Sequence, residues 1–153
     1  MNDIEIRMAR RKDCHDLAPR LRDEDVKELD AAVGLAPAGA LVMSYLMSDL
    51  AYAVVINGQV EALFGVVSDR NEPNHGVPWL LGSYELENNA RPFLRIGRRY
   101  IKMMAVLYDS LRNAVHHEHT QSFTLLEHLG FVRTDVLEGF GVRKETFFLY
   151  VYV

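Results

Sequence analysis

The chain has 153 residues, 49% of them hydrophobic and 25% charged, with a formal net charge of −4. That length suits one compact domain of about 100–150 residues, the balance excludes wholesale disorder, and the acidic excess argues against a direct nucleic-acid binder. No apolar run approaches the ~18 residues of a membrane span, the opening Met1-Asn2-Asp3-Ile4-Glu5 lacks the regions of a secretory signal, and the single cysteine, Cys14, points to a reducing compartment.

Ile4, Ile6 and Met8 alternate with Glu5 and Arg7, the period of a half-buried first strand. Asp13 is placed to cap a first helix, and Asp16 suits its positive end. Leu17 and Leu21, then Val26 and Leu29, space out one or two amphipathic helical segments, which Gly34-Leu35-Ala36-Pro37 ends. A second helix is predicted over 38–48, anchored by Leu41, Tyr45 and Met47. The apolar run 51–56 meets Asn57-Gly58, a hairpin pair because both turn residues take positive φ. Val60, Ala62 and Phe64 then alternate on the returning strand. A polar loop at 69–76 leads to a strand at 77–84, rich in large apolar side chains and therefore central. Phe93, Ile96, Tyr100, Ile101, Met104, Leu107, Tyr108 and Leu111 recur at three- and four-residue steps and predict the longest helix. A short strand at 113–115 follows, then a helix opened by His119 or Thr120, carrying Phe123, Leu126 and Leu129 and closed by Gly130. The last strands are predicted at 131–137 and 145–153, joined through Gly139 and Gly141. This order predicts an α/β fold, a mixed β-sheet flanked by helices on both faces.

Ile6-Arg7-Met8-Ala9 with Asp13, and the stretch from Thr120 to Leu129-Gly130-Phe131, resemble the first strand and the last helix of the GNAT superfamily of acyl-CoA-dependent N-acyltransferases. Trp79-Leu80-Leu81-Gly82 followed by Arg91-Pro92-Phe93-Leu94-Arg95 is similar to a branch carried by short-tailed bacteriophages, which includes the small internal virion protein of podoviruses. The spacing from Phe93 through Tyr108-Asp109 to Asn113 and Leu129-Gly130 resembles the same branch. The likeness runs over nearly the whole chain and implies a single GNAT-like domain, 1–153. It implies acetyl-CoA or another acyl-CoA as co-substrate and a small-molecule or protein amine as acceptor. It also implies phage virion proteins as partners, and the host cytoplasm or the virion interior as location. Two features depart from the superfamily. Asn88-Asn89-Ala90-Arg91-Pro92-Phe93 replaces the glycine loop that brings backbone amides against the CoA pyrophosphate. Leu126 stands where many members carry a tyrosine acid, and His119 where an asparagine is frequent.

Acyl transfer needs a deprotonated amine, a polarised thioester carbonyl and help for the leaving thiolate. The resemblance implies that backbone amides at a splay after the fourth strand hold the thioester, where Gly82, Ser83 and Tyr84 fall. Tyr84 and Ser83 are the candidate acids, and Glu85 acting through water, or Glu61, the candidate bases. The plainer reading leaves Tyr84 at the core edge and Glu85 in solvent. Arg91, Arg95 and Arg99 lie four apart on one helix face and are candidates for the CoA phosphates, with Phe93 beside them; the alternative is a solvated basic face. His119 is a further candidate base. His116, His117 and His119 crowd together with Glu118 but lack a metal-binding spacing, so no metal is expected. Cys14 beside His15 reads as structural, because adjacent helical residues diverge by about 100°. The 147–153 tail reads as a strand that pairs with a partner's sheet edge in a homo-oligomer.

Overall fold

The computed structural model describes residues 2–152. In chain order the elements are β1 (Ile4–Met8), α1 (Arg11–Leu17), a 3-10 turn (Ala18–Arg20), α2 (Asp23–Val33), α3 (Pro37–Met47), β2 (Leu50–Ile56), β3 (Gln59–Ser68) and β4 (His75–Gly82). Then come α4 (Glu85–Asn88), α5 (Ala90–Leu107), β5 (Ser110–His116), α6 (Thr120–His128), β6 (Val132–Phe140) and β7 (Glu145–Tyr152). The seven strands form one sheet in the order β1-β2-β3-β4-β5-β7-β6, antiparallel everywhere except between β4 and β5. It is a mixed sheet with helices on both faces, as the sequence predicts.

Side-chain alternation sorts the core onto the two faces. Val54, Ile56, Ala62, Phe64 and Val66 pack with Phe93, Ile101 and Met104 of α5 and Leu126 of α6. Ala53, Val60 and Leu63 pack on the other face with Cys14 and Leu17 of α1 and Leu41 of α3. Asn57 and Gly58 take φ of 50° and 82° and close the β2–β3 hairpin as expected. Arg133 lies 3.9 Å over the Phe148 ring and donates to the Tyr150 hydroxyl, which pins β6 onto β7.

The feature that positions the site is the short contact between β4 and β5. They pair only at His75↔Ser110 and Gly76↔Leu111, then part. Ser83 donates its N–H to Glu61 O on β3, so the odd residues of β4 bond to β3 and the even ones face the gap. Pro78 is the first even residue past the last pair, and a residue with no N–H suits an edge that has lost its neighbour.

Several sequence expectations shift. Leu111 continues the helical spacing but lies in β5, because α5 ends at Leu107 and the chain turns back into the sheet. The strand foreseen at 113–115 is Ser110–His116, extended by its pairing with β7. Met8 and Met47 are exposed rather than anchoring, and α2 turns Asp25 inward while Val26 faces out. The tail strand β7 lies between β5 and β6, paired on both sides, so it has no edge to offer a partner; β6 is the outer strand. Val153 lies outside the described residues.

Gly65 packs against β2 so closely that an added Cβ would lie 2.4 Å from Leu50 O and 3.1 Å from Ala51 Cα. Gly65→Ala is expected to lower stability by about 1–3 kcal/mol through backbone overpacking, read as a lower urea midpoint with an unchanged m-value.

Candidate active site

α2 closes one side of the β4–β5 gap. Asp25, fully buried, accepts from Gly82 N–H (3.0 Å) and Arg22 Nε (3.0 Å) through Oδ2, and from Arg22 Nη2 (3.1 Å) through Oδ1. Oδ1 also lies 2.7 Å from His119 Nε2. Arg22 N–H in turn donates to Gly82 O at 2.9 Å. The end of β4 is thus bonded on its free edge to α2, as if to another strand. Burial works against a charged His119, but the hydrogen bond to Asp25, with the charges of Glu28 and Asp25, holds its pKa above the usual 6.5 despite nearby Arg22. His119 Nδ1 is buried without a partner among the described residues.

Between α4, the start of α5 and α6 lies a cleft of about 400 Å³. Leu86, Phe93, Leu94 and Leu125 give it apolar walls; Arg22, Glu87, Gln121, Ser122, Thr124 and His128 supply polar groups. A smaller cavity of about 160 Å³ opens between α2, β4, β5 and the inner side of α6. The two spaces share Ser122 and Leu125 as wall residues. Alternation turns the N–H of Leu80 toward the β4–β5 gap, whose residues line the smaller cavity, while the cleft meets that cavity at α6.

Of the positions singled out in the sequence, Phe93 lines the cleft. Gly82 and Ser83 sit at the end of β4, but their N–H groups are taken by Asp25 and by Glu61 O. Ser83 Oγ donates to Glu61 Oε1 at 3.1 Å, and buried Glu61 is also paired with Arg20. Tyr84 is exposed and accepts from Asp23 N–H. Glu85 is exposed and bonded to Asn88. Neither Tyr84 nor Glu85 lines the cleft. Arg91 and Arg95 stand exposed on α5, each next in sequence to a wall residue, Ala90 and Leu94, without lining the cleft themselves. Cys14 is fully buried, and burial with the nearby Asp13 charge pushes its thiol pKa up, which suits an inert core residue.

Sequence reasoning missed Arg22, Asp25, Glu28 and Ser122. Asp23-Glu24-Asp25 reads as a solvated first turn, yet Asp25 stands three residues before Glu28 and four before Leu29, on one helix face, and that spacing was the available signal. His116, His117 and Glu145 bring ligand atoms within 4.8 Å of one another. Glu118 N–H donates to His116 Nδ1 (3.2 Å), which puts the ring proton on Nε2, directed at Glu145 Oε1 2.8 Å away. A neutral imidazole in that tautomer has no lone pair on Nε2 for a metal.

No protein-family model matches the chain, and no curated protein matches it in sequence. Solved structures match in fold. An N-acetyltransferase from Staphylococcus aureus superposes with a TM-score of 0.75 at 13% identity, covering 98% of each chain. A Salmonella typhimurium protein solved with its cofactor acetyl-CoA gives 0.69 at 14% identity, over 97% of this chain and 92% of that one. An aminoglycoside acetyltransferase solved with coenzyme A gives 0.69 at 12% identity, over 99% and 95%. The chain therefore has the GNAT acetyltransferase fold, seen also in a GNAT-family acetyltransferase from Bacillus anthracis with a TM-score of 0.73 at 11% identity, over 98% of this chain and 94% of that one. Among the described residues no single helix is long and apolar enough to cross a membrane.

Asp25→Ala leaves Arg22, His119 and Gly82 N–H without their common acceptor and is expected to cost about 3–5 kcal/mol, measured by chemical denaturation. His119 binds its proton more tightly folded than unfolded. Its contribution is therefore complete below the unfolded value of 6.5 and is lost as pH rises through the raised folded value. The stability difference between the wild-type chain and His119→Asn is expected to shrink as pH rises through that range.

Proposed function

We propose that the chain transfers an acyl group from an acyl-CoA to an amine. The observation that carries this reading is the cleft of about 400 Å³ enclosed by α4, the start of α5 and α6, in a fold whose solved examples include proteins holding acetyl-CoA or coenzyme A. The residues present fit such a molecule. Leu86, Phe93, Leu94 and Leu125 offer an apolar throat to a pantetheine arm. α5 begins at that cleft with no side-chain cap; Pro92 carries no N–H and Phe93 N–H is bonded to Asn89 O, so the amides of Ala90 and Arg91 and the helix dipole are left for a phosphate. Arg91 and Arg95, each next in sequence to a wall residue, are assigned further phosphate contacts in place of a glycine loop.

The acyl-CoA supplies the activated carbonyl. Leu80 N–H, facing the gap, is the amide assigned to polarise it, since those of Gly82 and Ser83 are engaged. The amine attacks the carbonyl carbon, the carbon–sulfur bond breaks, and the thiolate takes a proton. Ser122 Oγ, on the walls of both spaces and 3.1 Å from His119 Nε2, is assigned that proton, with His119 behind it. Tyr84 and Glu85 have no role in this reading.

Two observations favour a second reading. Asp25 occupies Gly82 N–H, where the resemblance places the thioester, and Leu126 is an apolar core residue where an acid is expected. On this reading the chain is a catalytically inactive GNAT-fold protein, an internal virion or assembly component of the kind its Trp79–Gly82 and Arg91–Arg95 segments resemble. Titration calorimetry with acetyl-CoA and a thiol-release assay with amines separate the two. Binding with thiol release supports transfer, and no binding at millimolar acetyl-CoA removes it. Recovery of the chain as a stoichiometric component of purified virions supports the second. Arg91→Ala combined with Arg95→Ala is expected to weaken acetyl-CoA binding several-fold and to flatten its salt dependence; an unchanged affinity assigns these arginines to the solvated face.

A further inference from the structure

The cavity on the α2 face of the gap has a composition unlike the cleft. Leu29, Trp79, Leu80, Phe140 and Phe147 make its walls mainly apolar and aromatic, and Glu28 is their only ionisable group. At about 160 Å³ it is close to the ~150 Å³ apolar cavities that hold one benzene ring. Glu28 Oε1 accepts His116 N–H at 2.8 Å, which fixes the carboxylate and leaves Oε2 without a partner among the described residues. A single carboxylate in an apolar space meets one ammonium group well, whereas a second cationic centre there would be buried unpaired.

We propose that the acceptor is a small primary amine with one apolar, ring-sized body, that it enters from this face, and that Glu28 takes a proton from its nitrogen. The inference rests on the acyl-transfer reading. The ammonium gives one proton to Glu28, and the free amine attacks the carbonyl reached through the gap. The carbon–sulfur bond breaks, the thiolate takes one proton to become the CoA thiol, and Glu28 releases the other to solvent. Amide, thiol and one proton balance ammonium and thioester. Burial raises the Glu28 pKa, with Asp25 adding to it, while His119 and His116, the latter also through its N–H, pull it back. These are the titratable groups that face it from α2, the start of α6 and β5. A carboxylate drawn upward in this way is a better base near neutral pH.

The test uses the full chain with acetyl-CoA and, as probes, benzylamine, n-butylamine and spermidine, following thiol release. Benzylamine and n-butylamine are expected to exceed spermidine in kcat/KM by at least about tenfold. Glu28→Gln retains an oxygen for His116 N–H. It is expected to keep the acetyl-CoA Kd within about twofold while kcat/KM falls about 100-fold or more and the acidic limb of the pH profile disappears. Val33→Trp narrows the mouth at a residue that is 39% exposed, so the fold tolerates it. It is expected to raise KM for benzylamine more than for n-butylamine, with acetyl-CoA affinity unchanged. An unaltered rate and pH profile in Glu28→Gln, a preference for spermidine, or acetyl-CoA binding without transfer to either monoamine overturns the inference. Failure of the wild-type chain to bind acetyl-CoA is the distinct result that overturns the transfer reading together with it.

Discussion

β4 and β5 share two residue pairs and then diverge, and the character of the site follows from how the chain treats the backbone groups on the two freed edges. A buried edge cannot leave its N–H and C=O groups unpaired without a cost of about 1–3 kcal/mol each. Pro78 meets this by carrying no N–H. Gly82 meets it through α2, which supplies the Asp25 carboxylate to the N–H and the Arg22 N–H to the carbonyl. Leu80, between them, keeps its polar groups turned to the gap. The opening is therefore selective: the chain satisfies the end of β4 and leaves the stretch that borders the smaller cavity.

Satisfying Gly82 with a carboxylate brings its own requirement, since a buried charge needs partners. Arg22 and His119 provide them, and their positions tie the start of α2 and the start of α6 to β4 through one group. Because α6 also forms a wall of the cleft and α2 a wall of the smaller cavity, the Asp25 cluster fixes the spacing between the two. Its value is better understood as positional than as a net gain in stability, because an apolar plug of equal size would cost less to bury.

What was legible in the sequence depended on how local its cause was. Asn57-Gly58 dictates its turn through two backbone angles, and the α5 stripe from Phe93 to Met104 reports its own buried face, so both were readable. Leu111 was not, because its four-residue step from Leu107 fits a helix as well as the β5 pairing that claims it. The tail strand was readable as a strand but not as an inner one, since sheet order is fixed by residues far apart in sequence. The candidate site followed the same rule. Phe93 was found as an apolar residue at a helix start, whereas Asp25, Glu28 and Ser122 look like solvated polar residues until strands 57 or more residues away, or an equally remote helix, close over them.

The occupied Gly82 amide bears differently on the two functional readings. If the thioester had to sit on Gly82, its carbonyl, a neutral acceptor, would have to displace a carboxylate held by two cationic groups, and charge-assisted bonds are roughly twice as strong as neutral ones. That exchange is uphill, so a catalytic chain of this design must polarise the carbonyl elsewhere on the same edge. Two residues back along β4, the alternation returns to Leu80, four residues past the last β4–β5 pair and on the wall of the Glu28 cavity. On the proposed transfer reading, the geometry that argues against the expected amide would move the reacting carbon toward the Glu28 carboxylate.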